Sequence, residues 1–272
     1  MAQIISEKQD LTWLTWSKIR NSSGAAGSFL KAYSDFNGKK IYYKLSNYNA
    51  ADGIIGHECV NEIIVDRLLT VLGIEHLEYQ LIHADILIDG HMTETWLCAS
   101  NDFKQYGENK ITLETYYQQE RLPHESPLAF CVRNGWGPYI RQMLLVDYLI
   151  LNRDRHGANI EVLRNRRNKT VRLAPLFDHG LSLVCRCNTV DELARFDVMK
   201  DLRVQCFVGG SSTLENLKLI PEAEWPVVNA LQPADQAHLF EGLEDVLPEA
   251  WRKKIWDMIW SRWNVYESLC HS

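Results

Sequence analysis

Two neighbouring segments decide the interpretation of this chain: LNRDRHGANIEVL at residues 151–163 and LAPLFDHGLSL at residues 173–183. They place an acid, Asp154, five residues before an amide, Asn159, and a second acid, Asp178, in an Asp-x-Gly turn after an apparent strand pair. Phosphoryl transfer needs such groups, because a carboxylate accepts the proton of an incoming hydroxyl while carboxylate and amide oxygens bind Mg²⁺. The spacing therefore predicts Asp154 as the catalytic residue and Asn159 and Asp178 as magnesium ligands.

Each segment alone also fits an ordinary structural role. Asp154 and Asn159 can stabilise a tight loop through side-chain to backbone hydrogen bonds, and residues 178–180 can form a simple turn. The two segments together, in this order and separated by an apparent hairpin, favour phosphoryl transfer over that alternative.

The N-terminal part contains the partners that a phosphoryl-transfer site needs. Lys44, at the end of IYYKL, is expected to contact the nucleotide phosphates, and Glu62 on the following helix is expected to hold it. A solvated lysine and the polar stripe of an amphipathic helix remain the alternatives. The segment NSSGAAGSFLKAY (21–33) predicts a small phosphate loop, whose glycines let backbone N–H groups approach phosphate. The ATP-binding residues expected in this loop are Ser22, Ser23, Gly24, Gly27 and Ser28.

Strand and helix signals divide the chain into two parts. Asn37-Gly38 and Asp89-Gly90 each predict a hairpin turn, and apolar spacing over residues 57–72 predicts a helix that Gly73 ends. Helical patterns dominate after about residue 100. We therefore expect an α+β fold with a β-rich N-lobe at residues 1–99 and a mainly helical C-lobe at residues 100–272.

The motifs resemble those of HipA-like kinases, bacterial relatives of the protein kinase fold. The resemblance covers nearly the whole chain and is carried by SSGAAGSFLK, YYKLS, NEIIVDRLLTVLGI, LNRDRHGANIEVL and LAPLFDHGLSL. It implies a two-lobed kinase fold, ATP in the cleft, Mg²⁺, and γ-phosphoryl transfer to a Ser or Thr hydroxyl of a protein. By the same match Asp154 is the catalytic Asp, Asn159 and Asp178 the metal ligands, Lys44 the nucleotide lysine and Glu62 its partner.

The chain also departs from conventional protein kinases. It has no HRD triplet and no full GxGxxG, and Asp-His-Gly stands where those enzymes have Asp-Phe-Gly. The DRHxxN motif is shared with phosphoinositide kinases. A lipid head-group or small-molecule kinase and a non-catalytic pseudokinase binding module therefore stay as alternatives.

Composition narrows the class of protein. A hydrophobic content of 46% in 272 residues predicts a globular protein, and a net charge of −6 argues against direct nucleic-acid binding. An acidic N-terminus, no long apolar run and seven cysteines without a CxxC pair lead us to expect a cytoplasmic chain with no membrane span.

Three weaker features complete the expectations. Phosphorylation of the loop serines by the enzyme itself would place negative charge beside the ATP phosphates and expel the loop. The basic segment RNRRNKTVR (164–172) fits a solvated hairpin tip or a contact with an acidic protein or a phosphate. The tryptophans of PEAWRKKIWDMIWSRW are expected in the core, with a partner surface, such as one for a regulatory protein, as the alternative.

Overall fold

The computed structural model describes residues 2–17, 29–49 and 51–271. The expected phosphate-loop residues Ser22, Ser23, Gly24, Gly27 and Ser28 lie outside the described residues. The strands are β1 (Gln3–Asp10), β2 (Lys31–Phe36), β3 (Lys39–Lys44), β4 (Tyr48–Asn49), β5 (Gly53–Ile54), β6 (Tyr79–Ile88), β7 (His91–Asn101), β8 (Glu108–Thr112), β9 (Asp154–Arg155), β10 (Glu161–Asn165), β11 (Thr170–Leu173) and β12 (Gln205–Cys206). The α-helices are α1 (Glu58–Leu72), α2 (Leu113–Glu120), α3 (Pro127–Arg133), α4 (Gly137–Leu149), α5 (Val190–Arg195), α6 (Thr213–Leu217), α7 (Asp235–Phe240) and α8 (Glu249–Cys270).

A five-stranded sheet in the order β1-β6-β7-β3-β2 forms the N-terminal part. Both predicted hairpins are confirmed: Asn37 and Gly38 have φ of 52° and 77°, and Asp89 and Gly90 have φ of 51° and 83°. Positive φ at both central residues is typical of a type I′ turn, whose twist matches that of the paired strands. Strand β7 continues to Asn101, so the sheet ends two residues beyond the expected lobe boundary at residue 99.

Helix α1 is confirmed and is more deeply buried than its pattern predicts. Gly73 ends the helix in the left-handed conformation with φ of 72°. The Gly73 N–H donates hydrogen bonds to the Leu69 and Thr70 carbonyls. Thirteen of its fifteen residues are buried, including Glu58 and Glu62. The cause is that α1 contacts β6 and β7 on one side and α7 on another, so the solvated polar stripe, which was the alternative interpretation, faces protein instead of water.

Two apolar cores stabilise the molecule. The larger one joins α1 to the helices of the C-terminal part, and the smaller one lies on the N-terminal sheet around Leu45, Ile86 and Leu97. The expectation of core tryptophans is confirmed for Trp251, Trp256 and Trp263, which are buried, whereas Trp260 is half-buried and packs against the edge of the larger core. Among the described residues, none of the helices has both the length and the apolar character needed to cross a bilayer.

A three-stranded sheet in the order β11-β10-β8 lies beside the first sheet. The predicted strand pair β10–β11 is confirmed as antiparallel. The sequence did not predict strand β8, because its residues ENKIT are mostly polar and mostly exposed or half-buried. Strand β8 pairs with β10, the strand that follows the DRHGAN motif. The segment after β7 is therefore hydrogen-bonded to the part of the chain that carries this motif.

Candidate active site

One ammonium group joins three elements of the chain. Lys44 is the last residue of β3, and its Nζ lies 2.9 Å from Glu62 Oε1 on α1 and 2.5 Å from Asp178 Oδ1 after β11. The side chains of Lys44, Glu62 and Asp178 are 10%, 0% and 16% exposed. We call these three residues the lysine cluster. Burial alone would lower the pKa of Lys44, but attraction to Asp178 and Glu62 outweighs burial and raises that pKa well above its usual value.

Glu62 is fixed by more than its lysine partner. Its Oε2 accepts the backbone N–H of His179 at 2.8 Å, and its Oε1 accepts that of Gly180 at 3.0 Å. A Cβ atom at Gly180 would lie 3.1 Å from the Glu58 Cβ and 3.2 Å from Glu62 Oε1, so a glycine suits this close approach. Through Glu62, helix α1 therefore fixes both the Lys44 ammonium and the turn that carries Asp178.

The backbone of Asp178 is constrained on its other side. Its φ of 59° lies in the left-handed region, and its N–H donates to the Tyr79 hydroxyl at 3.2 Å. Burial and the neighbouring Glu62 raise the pKa of Tyr79 well above its usual value, which keeps this hydroxyl neutral. Burial and the nearby Arg155 guanidinium lower the pKa of His179 well below its usual value, so this imidazole is neutral as well.

The DRHGAN loop is held by its own side chains. The Asn159 amide donates to the Asp154 carbonyl at 2.8 Å, which leaves the Asn159 amide oxygen as the atom available to a cation. His156 Nδ1 accepts the Ala158 N–H at 3.1 Å, which is a structural role, and His156 Nε2 lies 3.5 Å from Asp154 Oδ1. The Asp154 side chain is 25% exposed and so keeps access to a substrate.

Glycine is required inside this loop. A Cβ atom at Gly157 would lie 2.6 Å from the Glu114 Cβ and 2.8 Å from the Phe207 ring. Both contacts involve side chains that pack closely against the loop from α2 and from the segment after β12. Glu114 and Phe207 therefore leave no space for a side chain at position 157, and a larger residue there would displace the loop.

Arg155 connects the loop to the lysine cluster and was missed by sequence reasoning. Its guanidinium binds the Asp147 carboxylate with N–O distances of 2.8 and 3.0 Å. Its remaining nitrogen donates to the carbonyls of Phe177 at 3.0 Å and Asn159 at 3.3 Å. A signal was present: Asp147 interrupts the apolar run of α4, and a carboxylate there needs a buried partner.

The structure therefore brings the predicted residues together in two linked groups. The members of the lysine cluster contact one another, Asp154 and Asn159 contact each other, and Arg155 joins the two groups through main-chain carbonyls.

A cavity of about 220 Å³ opens beside the lysine cluster. Its apolar and aromatic walls include Tyr42, Phe103 and Phe177, which suit a planar ring system. Lys110 and Glu161, which sequence reasoning missed, also line the cavity. Glu161 Oε2 lies 3.5 Å from Lys110 Nζ. Burial raises the pKa of Glu161, and the Lys110 charge opposes that shift. The cavity thus has a charged region at Lys44 and Asp178 and a second polar region at Lys110 and Glu161.

The donor atoms fit Mg²⁺ better than a metal that needs a complete protein cage. Within residues 2–17, 29–49 and 51–271, no group of three or more His, Cys, Asp or Glu side chains is arranged to hold a metal ion. Mg²⁺ usually keeps several waters and binds one or two carboxylates together with substrate phosphates. The Asp178 carboxylate and the Asn159 amide oxygen are donors of that kind and would be the residues to hold Mg²⁺.

Comparison with known proteins identifies the fold. No family model and no curated protein matches the chain. Among solved structures it resembles the Helicobacter pylori proinflammatory kinase CtkA, with a TM-score of 0.60 and 15% sequence identity over 97% of this chain and 96% of that chain. It also matches a mutant of the Neurospora crassa PAN3 pseudokinase, with a TM-score of 0.35 and 10% identity over 93% of this chain and 59% of that chain.

The first likeness supports a conclusion about the fold, and the second is too weak to add to it. The chain has a protein-kinase-like fold, with a β-rich N-terminal sheet and a helical C-terminal part. This confirms the fold class expected from the sequence.

Proposed function

We propose that this protein is a HipA-like bacterial kinase that transfers the γ-phosphoryl group of ATP, with Mg²⁺, to a Ser or Thr hydroxyl of a protein. The observation that carries the proposal is the lysine cluster, in which a buried ammonium meets two carboxylates from separate elements at the wall of a cavity. A purely structural ion network would have no need of an adjoining aromatic cavity. The kinase-like fold agrees with this reading.

The proposed roles follow from where each side chain lies. Lys44 would contact the α- and β-phosphates while Glu62 keeps it extended, because Glu62 is fully buried and fixed by two backbone N–H groups. Asp178 and Asn159 would hold Mg²⁺, which neutralises phosphate charge when bound. Asp154 would accept the proton of the incoming hydroxyl, since its carboxylate is partly exposed beside Asn159.

The test is transfer of label from γ-³²P-ATP. Incubation with Mg²⁺ and a lysate from the source organism should give labelled protein above the level of a lysate-only control with the wild-type chain, and this excess should fall by roughly 10²–10⁴-fold with Asp154→Ala. Labelled lipid in place of protein would support the lipid-kinase alternative. Binding of Mg-ATP in a thermal-shift assay without any transfer would support a pseudokinase binding module.

The phosphate-loop serines give a second readout of the same activity. We propose autophosphorylation at Ser22, Ser23 or Ser28, which would set negative charge against the phosphates of ATP and weaken nucleotide binding. Intact-mass spectrometry after incubation with Mg-ATP should show added phosphate on the loop peptide. Absence of added phosphate in an active preparation would overturn this part of the proposal.

A further inference from the structure

A cluster of exposed cations lies on the small sheet beside the cavity. Arg164 is in β10, and Arg166, Arg167 and Lys169 lie in the turn between β10 and β11; all four are exposed. Among the residues that the structure describes, none of these four side chains forms an ion pair with a carboxylate. On a chain with a net charge of −6, such a concentration of unpaired positive charge is a local feature of this surface.

The surface is concave, and its turn is hydrogen-bonded. A cavity of about 440 Å³ is lined by Asn109, Lys110, Ile111, Gln119, Arg164 and Arg166. A second cavity of about 310 Å³ shares Arg164 and Arg166 with the first and is also lined by Lys169. The turn that carries the cations is folded by Asn165, whose side-chain oxygen accepts the N–H groups of Arg167 and Asn168 at 3.1 Å each. We call these two adjoining cavities the basic groove.

The two carboxylates of the three-stranded sheet, Glu108 and Glu161, are already engaged. Glu108, on β8 opposite Asn165, is 5% exposed at its side chain and binds Arg172 through both oxygens. Glu161 faces Lys110. The positive charge of the groove is therefore not neutralised from within the sheet that carries it.

We propose that the basic groove is the docking site for an acidic segment of the polypeptide that accepts the phosphoryl group. Charge complementarity identifies the ligand as anionic, and the amide side chains of Asn109 and Gln119 add hydrogen-bond donors and acceptors that suit a peptide. A bilayer presents a flat surface that reaches only the rim of a concave site, so the shape favours a polypeptide. Lys110 is a lining residue of both the groove and the nucleotide cavity, whereas Asn109 and Arg164 lie on the opposite face of the small sheet from Lys110 and Glu161. A segment docked there would therefore bind behind the sheet, away from the Lys44 and Asp178 region of the cavity.

This inference rests on the proposed function only in naming the acceptor, so binding tests it separately from catalysis. Fluorescence anisotropy with the full chain would compare a labelled serine peptide carrying a run of Asp and Glu with the same peptide carrying Asn and Gln. We expect the acidic peptide to bind more tightly, and its affinity to fall as salt is raised, because exposed charge pairs are screened.

Matched double variants locate the site. Arg164→Gln with Arg166→Gln should raise the Kd of the acidic peptide by about tenfold, since several weak exposed pairs are lost together. Arg195→Gln with Lys200→Gln removes the same charge from exposed positions elsewhere and should leave the Kd unchanged. With an active preparation, the groove variant should raise KM for the acidic peptide and leave kcat unaltered.

The outcomes are separable. Equal peptide binding by the two double variants, equal binding of the acidic and amide peptides, or arginine-dependent binding to phosphatidylserine vesicles without peptide binding would each overturn the docking proposal. A missing thermal shift with Mg-ATP in the same samples would instead overturn the proposed function, and specific peptide binding would still support the groove.

Discussion

Two buried cations lie close together in this molecule and differ in what surrounds them. Arg155 is 1% exposed at its side chain, and all of its described contacts are to protein: the Asp147 carboxylate and the carbonyls of Phe177 and Asn159. Lys44 is bound by two carboxylates but lines a cavity, and one of its partners, Asp178, is 16% exposed.

The difference separates a structural ion pair from a ligand-responsive one. The guanidinium of Arg155 has a planar set of hydrogen-bond donors, and protein acceptors already bind them. A ligand would therefore find no donor there to accept from. The ammonium of Lys44 is a compact charge on a flexible stem, and in the proposed kinase both it and Asp178 would exchange partners with phosphate and metal at the cavity wall. Substitutions at the first should therefore change stability, and those around the second should change binding or turnover.

The largest expected effect is on turnover, at the residue next to Arg155 in the chain. Asp154→Ala should lower kcat by roughly 10²–10⁴-fold, because the general base for the hydroxyl is removed. ATP affinity and unfolding free energy should stay close to wild type, since the Asp154 side chain is partly exposed. Nucleotide titration alongside steady-state kinetics checks this. Equal loss of ATP affinity in Asp154→Ala and Asp178→Ala would contradict the division of roles.

Arg155→Met should give the largest loss of stability. It leaves the Asp147 carboxylate buried with the Asn152 amide as a remaining partner, and breaking a buried pair costs about 3–5 kcal/mol. Urea unfolding measures this free energy. Arg155→Lys, which keeps the charge but loses the planar fork, should fall between Met and wild type. A fall of less than about 1 kcal/mol in the unfolding free energy of Arg155→Met would show that this ion pair does not stabilise the fold.

Asp178→Ala should affect ligand binding with little change in the stability of the free protein, because Lys44 keeps Glu62 as a partner. A ligand at about 100 times its Kd stabilises a protein by about 2.7 kcal/mol. We expect the Mg²⁺-dependent part of this gain to disappear in the variant, as measured by thermal shift with ATP in the presence of Mg²⁺ or EDTA. A variant that retains the full Mg²⁺ effect would remove Asp178 from the metal site.

The smallest expected effect is a pH dependence from an enclosed group, His57. Burial, partly opposed by a hydrogen bond to the Val184 backbone, lowers the pKa of His57 to about 4 from its usual 6.5. Between these two values the unfolded chain binds a proton that the folded chain does not, so stability falls as the pH is lowered. We expect a loss of about 2 kcal/mol between about pH 6 and pH 4.5 that His57→Gln reduces. Urea unfolding at both pH values checks it, and an unaltered slope in the variant would assign the loss to other groups.

Sequence reasoning succeeded where local signals decide the structure. Both type I′ turns and the end of α1 depend on residues that tolerate positive φ, and these signals need no tertiary context. Strand β1 was missed for the opposite reason: it lies at the edge of the sheet, pairs in parallel with β6, and has mostly exposed or half-buried residues. Its sequence carries little apolar alternation, so its partner decides its conformation.

The candidate site divides in the same way. Lys44, Glu62 and Asp178 were found because a lysine strand, a helix that carries a glutamate and a later Asp-x-Gly turn follow one another in the order that the kinase resemblance implies, and the structure places them in contact. Arg155 and Glu161 were not found, because their roles depend on which surfaces face them after folding. An arginine in a loop and a glutamate at the start of a strand look solvent-exposed until their partners across the fold are known.

The double carbonyl contact of Arg155 has a dynamic consequence. One guanidinium donates hydrogen bonds to the carbonyls of both Asn159 and Phe177. A displacement of either stretch that moves Arg155 therefore breaks its hydrogen bond to the other stretch. The two stretches should open as a single cooperative unit. In native-state hydrogen–deuterium exchange, the amides of Asn159 and Asp178 should therefore share one opening free energy, although they are nineteen positions apart in the chain.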